Sequence, residues 1–431
     1  MIYEQIFSST RIAITIVASF ILIKYYIYLV SAPFYPLSIE LHKLKIRRLI
    51  RSGKISAKYE PLVSIVIPAW NEEVGILTTI KSALSNSYKN CELIVVDDGS
   101  TDSTAKIVNG FIAKYKKNPL NSKIIKFYTK QNGGKASAMN FGLTKVRGEI
   151  IVTMDADSAH HPKAVENMVE YFKDPDVNAL VGNVKVSNTQ TIVGLVQKLE
   201  YIFGFYFKRV HSMFDSEYIF GGACAAFRKS TTFDVLGGFD TTNKTEDIEL
   251  SMRIKFNGLK AVYAENVLAY TEGASTLSGL YKQRLRWKKG RIDTFVKYRK
   301  LFLSRHKAHP KFLSWIVLPY AVIGEVQLLF EPLFFTLIWT YTLVSGDYLS
   351  IGISSLFILF TFFSASLFGD KHTSKLTILY FPAFWLLFYI LVAIEFLALV
   401  KSIDLYIEKK DADWQRWERK GIASSIDLGV Q

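Results

Sequence analysis

The sequence predicts an α/β domain with a mostly parallel, doubly wound sheet, flanked by transmembrane helices. Two observations indicate the sheet: short β-branched apolar runs alternate with segments of helical periodicity between residues 61 and 303, and three of the runs end in acidic or amide side chains. A third observation indicates the membrane. Half of the 431 residues are hydrophobic although the net charge is +15, which fits apolar spans bordered by basic residues.

Four apolar runs in the first half of the domain are predicted to be buried strands, and helical segments separate them. The predicted strands are residues 63–69, 92–98, 123–129 and 149–154. The predicted helices are residues 74–84, 104–115 and 132–146. This alternation is typical of parallel strands, and ligands of such sheets bind beyond the carboxyl ends of the strands.

The acids and amides that follow three of these strands are therefore predicted to meet at one edge of the sheet. They are Asn71, Glu72, Asp97, Asp98, Asp155 and Asp157. Carboxylates one residue apart at a strand end can share one hard cation, and Mg²⁺ is usually bound by one or two carboxylates plus substrate phosphates. Lys135, after two glycines near a helix start, can reach a phosphate there. Each of these short patterns alone is also typical of an ordinary solvated turn.

The histidines and cysteines are interpreted without a metal or disulfide role. His160 and His161 follow the acids, and Pro162 indicates that a helix begins here, so we expect two exposed turn residues rather than zinc ligands. Cys91 and Cys224 lie in apolar runs and are predicted to be buried and reduced, which suits a cytosolic domain.

The second half of the domain contains a predicted strand, an aromatic helical segment, a run of small residues and an acidic triplet. Residues 178–187 are a predicted strand, and for the aromatic helical segment 191–211 core packing and a membrane surface both remain open. The small residues within 220–228 indicate a backbone that approaches another group closely. Thr245-Glu246-Asp247 opens a predicted helix, and as an isolated triplet it is typical of a cap with acids in the first turn.

The most specific motif is Gln-x-x-Arg-Trp, formed by Gln283, Arg286 and Trp287 on one face of a predicted helix. An indole can stack on a sugar, a glutamine can bond sugar hydroxyls, and an arginine can grip a diphosphate. Many basic residues surround the motif, so the same helix can also lie on lipid, and both interpretations can hold together.

Taken together, these segments closely resemble the inverting family 2 glycosyltransferases. The resemblance rests on residues 68–73, 95–102, 133–136, 154–157 and 283–287, and it covers roughly residues 61–302. It implies a nucleotide-sugar-binding domain of the GT-A type. Gln-x-x-Arg-Trp is similar to the motif of membrane-bound processive synthases of cellulose, chitin, hyaluronan and poly-N-acetylglucosamine, and the sequence around it looks most like the last of these.

The resemblance also implies a role for each site residue. The implied general base is Asp247, beside Glu246. The implied metal is Mg²⁺ or Mn²⁺, held by Asp157 with Asp155. The implied nucleotide-sugar contacts are Pro68, Ala69, Asn71, Glu72, Asp97, Asp98, Lys135, Asp155 and Arg286. The implied acceptor contacts are Gln283, Arg284, Trp287, Gly222 and Cys224.

Hydropathy and charge predict the rest of the organisation. The expected parts are an N-terminal transmembrane anchor (1–36), a basic juxtamembrane linker (37–60), the cytosolic domain (61–303), interfacial and transmembrane helices (304–400) and a basic tail (401–431). A secretory signal peptide is the rival for the anchor. The positive-inside rule places the basic linker in the cytoplasm. Within it, a helix on anionic lipid and a solvated charged segment are both open.

Three apolar stretches follow the domain, at residues 312–344, 349–368 and 376–400. The first exceeds one span, so we expect an interfacial helix from Phe312 and a span from about Leu328. Glu325 and Glu331 should face protein or water rather than lipid. The positive charge of the tail predicts that it lies in the cytoplasm. One N-terminal span and three later spans would instead place it on the outer side of the membrane.

The sequence therefore predicts a multi-pass cell-membrane enzyme with a cytoplasmic catalytic domain. The resemblance implies that it transfers a sugar, with N-acetylglucosamine expected, from a UDP-sugar to a growing β-linked polysaccharide. Its expected partners are the UDP-sugar, the carbohydrate acceptor and membrane lipid, and no nucleic acid is expected. Two alternatives stay open: single glycosylation of a lipid, as by a ceramide-glucosyltransferase-like enzyme, and a non-catalytic binder that uses its positive charge.

Overall fold

The computed structural model describes residues 25–119, 122–369 and 381–411, with single positions at 8, 9, 12, 16, 23 and 421. Most of the predicted N-terminal anchor and most of the predicted tail lie outside the described residues. In the anchor, residues 25–31 are helical and lead through a 3₁₀ turn, Ala32–Phe34, into the first long helix.

A mixed sheet of eight strands forms the centre of the domain. The strands are β1 (Val63–Ala69), β2 (Cys91–Asp97), β3 (Ile124–Thr129), β4 (Ile150–Thr153), β5 (Ser158–His160), β6 (Val177–Val186), β7 (Ala225–Arg228) and β8 (Lys260–Thr271). Their order across the sheet is β3-β2-β1-β4-β7-β6-β8-β5. β1 to β4 are parallel, as predicted. β6 and β8 are also parallel, but β7 runs antiparallel to both of its neighbours and β5 runs antiparallel to β8, so the sheet is mixed and the expectation of a mostly parallel sheet is confirmed only in part.

Besides the helical residues 25–31, twelve α-helices are described within these ranges. They are α1 (Tyr35–Arg51), α2 (Ile76–Leu84), α3 (Thr104–Lys117), α4 (Lys135–Leu143), α5 (Ala164–Phe172), α6 (Ile192–Met213), α7 (Lys229–Leu236), α8 (Glu246–Phe256), α9 (Leu277–Lys297), α10 (Leu318–Ser345), α11 (Tyr348–Gly369) and α12 (Phe381–Ile407). Short 3₁₀ and π turns, Arg299–Leu301 and Leu313–Val317, follow α9 and precede α10.

Helices cover both faces of the sheet. On one face, Ile65 of β1 belongs to the same buried cluster as Ile80 of α2. On the other face, Val66 clusters with Met139 of α4 and Leu250 of α8. Because β1, β2 and β4 are buried on both sides, their sequences are almost continuously apolar, and such runs are predictable as strands.

The register of the parallel strands brings their carboxyl ends together. Ala69 pairs with Asp97 across β1 and β2, and Val66 pairs with Thr153 across β1 and β4. The residues that follow each strand therefore open onto the same edge of the sheet. This confirms the predicted meeting of the first, second and fourth strand ends.

Among the described residues, one helix is long and apolar enough to cross a membrane. It runs from Leu313 to Ser345, and a shorter apolar helix covers Ile351–Ala365. The predicted break near Leu328 is wrong, because α10 continues through Pro332. A proline removes one backbone hydrogen bond and does not by itself end a long apolar helix.

Residues 35–51 form a helix, α1, rather than a solvated linker, and its two sides differ. One side is fastened to the domain: the Tyr35 hydroxyl donates to the backbone oxygen of Tyr263 over 2.7 Å, and Lys45 Nζ donates to Asp174 over 2.8 Å. The other side exposes an apolar row, Phe34, Leu37, Leu41 and Leu44.

Candidate active site

Lys135, the first residue of α4, lies at the centre of a cluster of acids. Its Nζ is 2.7 Å from Asp155 Oδ1 and 2.9 Å from Glu246 Oε1. Burial disfavours the charged amine, but the carboxylates of Asp155, Glu246 and Asp247 outweigh that effect and raise the pKa of Lys135 above its ordinary value. The lysine therefore stays charged and joins the end of β4 to the start of α8.

Asp247 lies in the first turn of α8 and is fixed by backbone donors. The N–H of Gly222 donates to its Oδ2 over 3.1 Å, and the N–H of Ile248 donates to its Oδ1 over 2.8 Å. A carboxylate held in this way keeps one direction while its remaining lone pairs stay available. The predicted acceptor segment around 222 and the predicted base are thus in contact.

The pKa of Asp247 is raised to about 6. Burial is the largest cause, and the negative charge of Glu246 adds to it, while the positive charges of Lys135 and Arg286 oppose it. Arg286, on α9, is therefore close enough to act on this carboxylate. A carboxyl group with this pKa is mostly ionised at neutral pH and can still accept a proton readily, as a general base must.

Gly222 lies against Lys135 and Asp155 with no room for a side chain. A Cβ at this position would be 2.5 Å from Lys135 Nζ and 3.0 Å from Asp155 Oδ1. The predicted close approach of the small-residue segment is therefore confirmed. Residues from several strands, helices and loops line one small cavity here, among them Pro68, Lys135, Asp155, Phe220, Gly222 and Asp247.

Asp98 lies beside this cavity and gathers donors from the loop before α4. Its Oδ2 accepts from the N–H of Gly134 over 2.7 Å, and its Oδ1 accepts from Lys130 Nζ over 2.7 Å. The N–H of Asp98 donates to the oxygen of Ala69 over 2.8 Å. The sequence analysis did not identify Lys130 as a site residue. Its position just before the Asn-Gly-Gly turn could have indicated that it lies near Asp98.

Asn71 organises the neighbouring turn. It has a positive φ of 55°, which asparagine tolerates better than most residues. Its Oδ1 accepts from the N–H of Thr101 over 2.7 Å, and its own N–H donates to Ser100 Oγ over 2.8 Å. The N–H of Ser100 in turn donates to Asp97 over 3.2 Å. The structure thus places Asn71 and Asp97 at the sheet edge, where both shape the turn.

The N–H of Glu72 donates to Thr104 Oγ1 over 2.8 Å at the start of α3. This contact ties the segment after β1 to the helix that follows β2. Direct contacts of Asn71, Glu72 and Asp97 with a nucleotide stay predictions.

The two acids proposed for a metal lie on the turn after β4. Asp157 is nearly buried, and its Oδ1 accepts from Ser158 Oγ over 3.2 Å and from Thr271 Oγ1 over 3.4 Å. In the part of the chain that the structure describes, no three His, Cys, Asp or Glu side chains gather as a ready-made metal site. Two carboxylates nevertheless fit Mg²⁺ or Mn²⁺ chemically, if phosphate and water oxygens complete the coordination.

The predicted Gln-x-x-Arg-Trp helix is α9, and its motif side faces the site. Gln283 is buried, and within the described residues its Oε1 accepts no hydrogen bond. The Arg284 guanidinium stacks on the Trp287 ring, 4.5 Å from the ring centroid. One face of this indole is thus held from behind by the protein.

A second side of α9 carries a network of partly buried ion pairs. Arg284 pairs with Glu200 at 2.6 Å and with Glu395 at 3.2 Å. Lys288 pairs with Glu325 at 2.6 Å and with Glu395 at 3.0 Å. Arg291 adds a pair to Glu325 at 2.7 Å. We refer to these six residues as the α9 charge network.

The α9 charge network joins α9 to α6, α10 and α12. It confirms that Glu325 faces protein, whereas the placement of Glu331 toward protein stays a prediction.

Comparison with known proteins decides the family. The model of glycosyl transferase family 2 matches residues 64–233, and the model of glycosyl transferase family group 2 matches residues 150–397, more than half of the chain. The chain belongs to glycosyltransferase family 2. This confirms the resemblance on which the sequence interpretation rests.

Two curated relatives of this glycosyltransferase are poly-β-1,6-N-acetyl-D-glucosamine synthases. The protein of Staphylococcus aureus (strain COL) is 31% identical over 238 residues, 54% of this chain and 56% of the relative. That of Staphylococcus epidermidis is 32% identical over 268 residues, 61% of each chain. The match thus spans about three fifths of these relatives at most.

One solved structure is similar over nearly the whole chain. It is the mannosyltransferase PcManGT from Pyrobaculum calidifontis, solved with GDP-Man and Mn²⁺. The TM-score is 0.53 at 20% identity, covering 90% of this chain and 99% of the other. This likeness concerns the fold, and it confirms a GT-A-like domain with a mixed central sheet.

One predicted acceptor contact of the glycosyltransferase, Cys224, is corrected by the structure. Cys224 is fully buried in the core, its sulfur packs against Gly182, and burial raises the pKa of the thiol to about 12. The guanidinium of Arg284 is engaged by Glu200, Glu395 and Trp287, and its contact with an acceptor sugar stays a prediction.

The prediction of two exposed histidines is also wrong for His160. Its side chain is only 1% exposed, and its Nε2 lies 2.9 Å from the oxygen of Ala223. His160 ends β5, and α5 begins at Ala164 rather than at Pro162. The reason is the antiparallel pairing of β5 with β8, which turns the residues after Asp157 into the sheet.

Proposed function

We propose that this glycosyltransferase transfers N-acetylglucosamine from a UDP-sugar to a growing β-linked polysaccharide. The observation that carries the proposal is the position of Asp247, which follows Glu246 of the Lys135-centred acid cluster and accepts a hydrogen bond from the N–H of Gly222. It places a carboxyl group with a pKa of about 6 beside the positive charges that a diphosphate needs. The names of the relatives support the choice of sugar and of polymer.

The donor is proposed to bind along the carboxyl edge of β1, β2 and β4. Pro68, Ala69 and Asp98 would hold the uridine part, with Asn71, Glu72 and Asp97 shaping that side. Lys135 and Arg286 would bind the diphosphate, because both place positive charge beside Asp247. Asp155 and Asp157 would hold Mg²⁺ or Mn²⁺, which compensates the charge of the departing diphosphate.

The chemical step is proposed as a single displacement. The acceptor hydroxyl gives its proton to Asp247 while its oxygen bonds to the anomeric carbon, and the bond from that carbon to the UDP oxygen breaks. Attack opposite the leaving group inverts the anomeric configuration, so an α-linked donor gives a β-linked product. Glu246 contributes by raising the pKa of Asp247 and by holding Lys135.

The acceptor sugar is proposed to stack on the face of Trp287 that Arg284 does not cover. Gln283 Oε1 is a buried acceptor that could take a hydrogen bond from a sugar hydroxyl. Gly222 would bound the same space through its backbone. Gln283, Trp287 and Asp247 would then set the distance between the terminal sugar and the base.

The proposed location is the cell membrane, with the catalytic domain on the cytoplasmic side and the predicted domain boundaries retained. The apolar helix Leu313–Ser345 supports one crossing, and α11 and α12 are proposed as further crossings. The exposed row of α1 is proposed to lie in the headgroup region, since the exposed residues Arg48 and Arg51 continue the same side of the helix.

The test is turnover by the purified chain in detergent. Each UDP-sugar is offered with Mg²⁺ or Mn²⁺, and the products are sized. We expect a polymer from UDP-N-acetylglucosamine and release of UDP in proportion to it. A single-sugar lipid would establish the alternative function, and no turnover of any UDP-sugar by folded protein would contradict the proposal.

A further inference from the structure

The helix α9 touches the loop that carries the base, and a glycine makes the contact. A Cβ on Gly290 would overlap the side chain of Thr245, the residue just before Glu246 and Asp247. The two elements therefore meet at a distance that only glycine allows. Any residue with a side chain at this position would have to push the loop and α9 apart.

Buried hydrogen bonds fix the same contact. Asn243 Nδ2 donates to Thr294 Oγ1 over 2.9 Å. The N–H and the hydroxyl of Thr245 both donate to Asn243 Oδ1, over 2.9 Å and 3.0 Å. All three side chains are buried, so losing one partner would leave a polar group without compensation from water.

Thr245 is used here in an unusual way. It occupies the N-cap position of α8, where a threonine side chain ordinarily accepts a hydrogen bond from the first turn. In this structure its side chain makes no such bond, and its hydroxyl turns to Asn243. Thr245 thus holds the loop in place and does not cap the helix.

The contacts lie on the same stripe of α9 as the acceptor motif. Gln283, Trp287, Gly290 and Thr294 follow the spacing i, i+4, i+7 and i+11, which places them on one face of a helix. The α9 charge network occupies another side and holds the helix against α6, α10 and α12. One rigid helix therefore presents the acceptor residues at one end of the stripe and supports the base at the other.

We propose that Asn243, Thr245, Gly290 and Thr294 are positioning residues that set the location of Asp247 relative to the acceptor. This inference rests on the proposed function, since it assigns their task within glycosyl transfer. None of the four residues lines the donor cavity. They act by keeping the base and the acceptor helix as one unit, and a small misplacement of a base can cost up to about 10²-fold in rate.

A matched pair of variants of the full chain tests the hydrogen bonds. Thr294→Val keeps the shape and removes the hydroxyl, whereas Thr294→Ser keeps the hydroxyl. We expect Thr294→Val to lower the rate at saturating UDP-N-acetylglucosamine by about 10-fold. The UDP affinity of Thr294→Val should stay within about twofold of wild type. The rate of Thr294→Ser should also stay within about twofold of wild type. Equal rates for both variants and the wild type would overturn the inference.

A second pair of variants, Gly290→Ala and Gly110→Ala, tests the close contact. It also tests the positioning role if Thr294→Val does not fold. Gly290→Ala should lower the rate by about 10-fold or more at near-normal UDP affinity. Gly110→Ala is the control, because a methyl group there in α3 would meet no atom within 4 Å. If Gly290→Ala and the wild type are equally active, the inference is overturned, and the activity of the wild type still supports the proposed function. An inactive wild type would instead overturn the proposed function, and this inference with it.

Discussion

The backbone N–H of Gly222 lies 3.1 Å from Oδ2 of Asp247 and donates a hydrogen bond to it. Burial and the negative charge of Glu246 favour the neutral acid, whereas the positive charges of Lys135 and Arg286 favour the carboxylate, and the pKa of Asp247 is raised to about 6. The segment that approaches the acid cluster therefore also orients the group proposed to accept the proton.

The pH dependence of transfer follows from this pKa. Asp247 must be deprotonated to act, so the rate should rise as the pH increases through about 6 and level off above that. Glu246→Gln removes the negative charge that raises this pKa and should move the acid limb to lower pH. Initial rates from about pH 5 to about pH 8 measure both curves. An acid limb that does not move would contradict the assignment of this limb to Asp247.

Asp247→Asn should abolish most of the activity without loss of binding. The amide keeps the size of the side chain and removes the proton acceptor, so transfer should fall by at least about 10²-fold. UDP affinity should change little, because Asp98, Lys135 and Asp155 make the proposed donor contacts. Calorimetry and a UDP-release assay measure the two effects. Asp234→Asn, an exposed acid on α7, is the control and should transfer normally. Wild-type rates for Asp247→Asn would disprove the base.

Removal of the metal should stop turnover. The diphosphate leaves with its charge uncompensated when the cation is chelated, and Asp157→Ala should have the same effect. The rate is measured with chelator, and again after Mg²⁺ or Mn²⁺ is restored. Recovery is expected for the wild type only. An Asp157→Ala enzyme that works normally would show that the metal, if any, binds elsewhere.

Two adjacent glycines give a matched test of the acid cluster. A methyl group at Gly222 would be 2.5 Å from Lys135 Nζ, whereas one at Gly221 would meet no atom within 4 Å. Gly222→Ala should therefore displace Lys135 and reduce both UDP affinity and rate by about 10-fold or more. Gly221→Ala should behave like the wild type. The idea fails if the two variants are equally active.

Trp287→Ala should affect the polymer more than the donor. Loss of the indole removes the proposed stacking surface, so product length and rate should fall while UDP binding persists. Trp315→Ala is the control, since that tryptophan lies 41% exposed before α10. Products are sized by gel filtration. If UDP binding is lost to the same extent as the rate, Trp287 has a structural role instead.

Local signals predict the donor half of the site well. Residues such as Ile65 and Val152 belong to strands buried on both faces, so apolar runs mark β1, β2 and β4 directly. Parallel pairing then requires the strand ends to meet, which places Asp98 and Asp155 at one edge of the sheet. Lys135 is found in the same way, from two glycines at a helix start.

Contacts between distant parts of the chain are not predictable in this way. Arg284 has the sequence context of an exposed basic residue because Glu200 and Glu395, its partners, are far from it in the chain. Cys224 follows a glycine pair that does line the cavity, but its side chain points into the core. The direction of β7 and the burial of His160 depend on strand pairings that alternation of helix and strand does not specify.

The α9 charge network contains three cations and three carboxylates, so its total charge is zero. Dissolved ions screen exposed charges beyond a Debye length of about 10 Å at about 0.1 M salt, but they act weakly on pairs that are shielded from water. The partly buried pairs that hold α9 should therefore respond less to ionic strength than the exposed arginines of α1, whose proposed attraction to anionic headgroups should fade as salt rises. The proposed attachment of α1 to the membrane would then be more sensitive to salt than the attachment of α9 to its neighbouring helices.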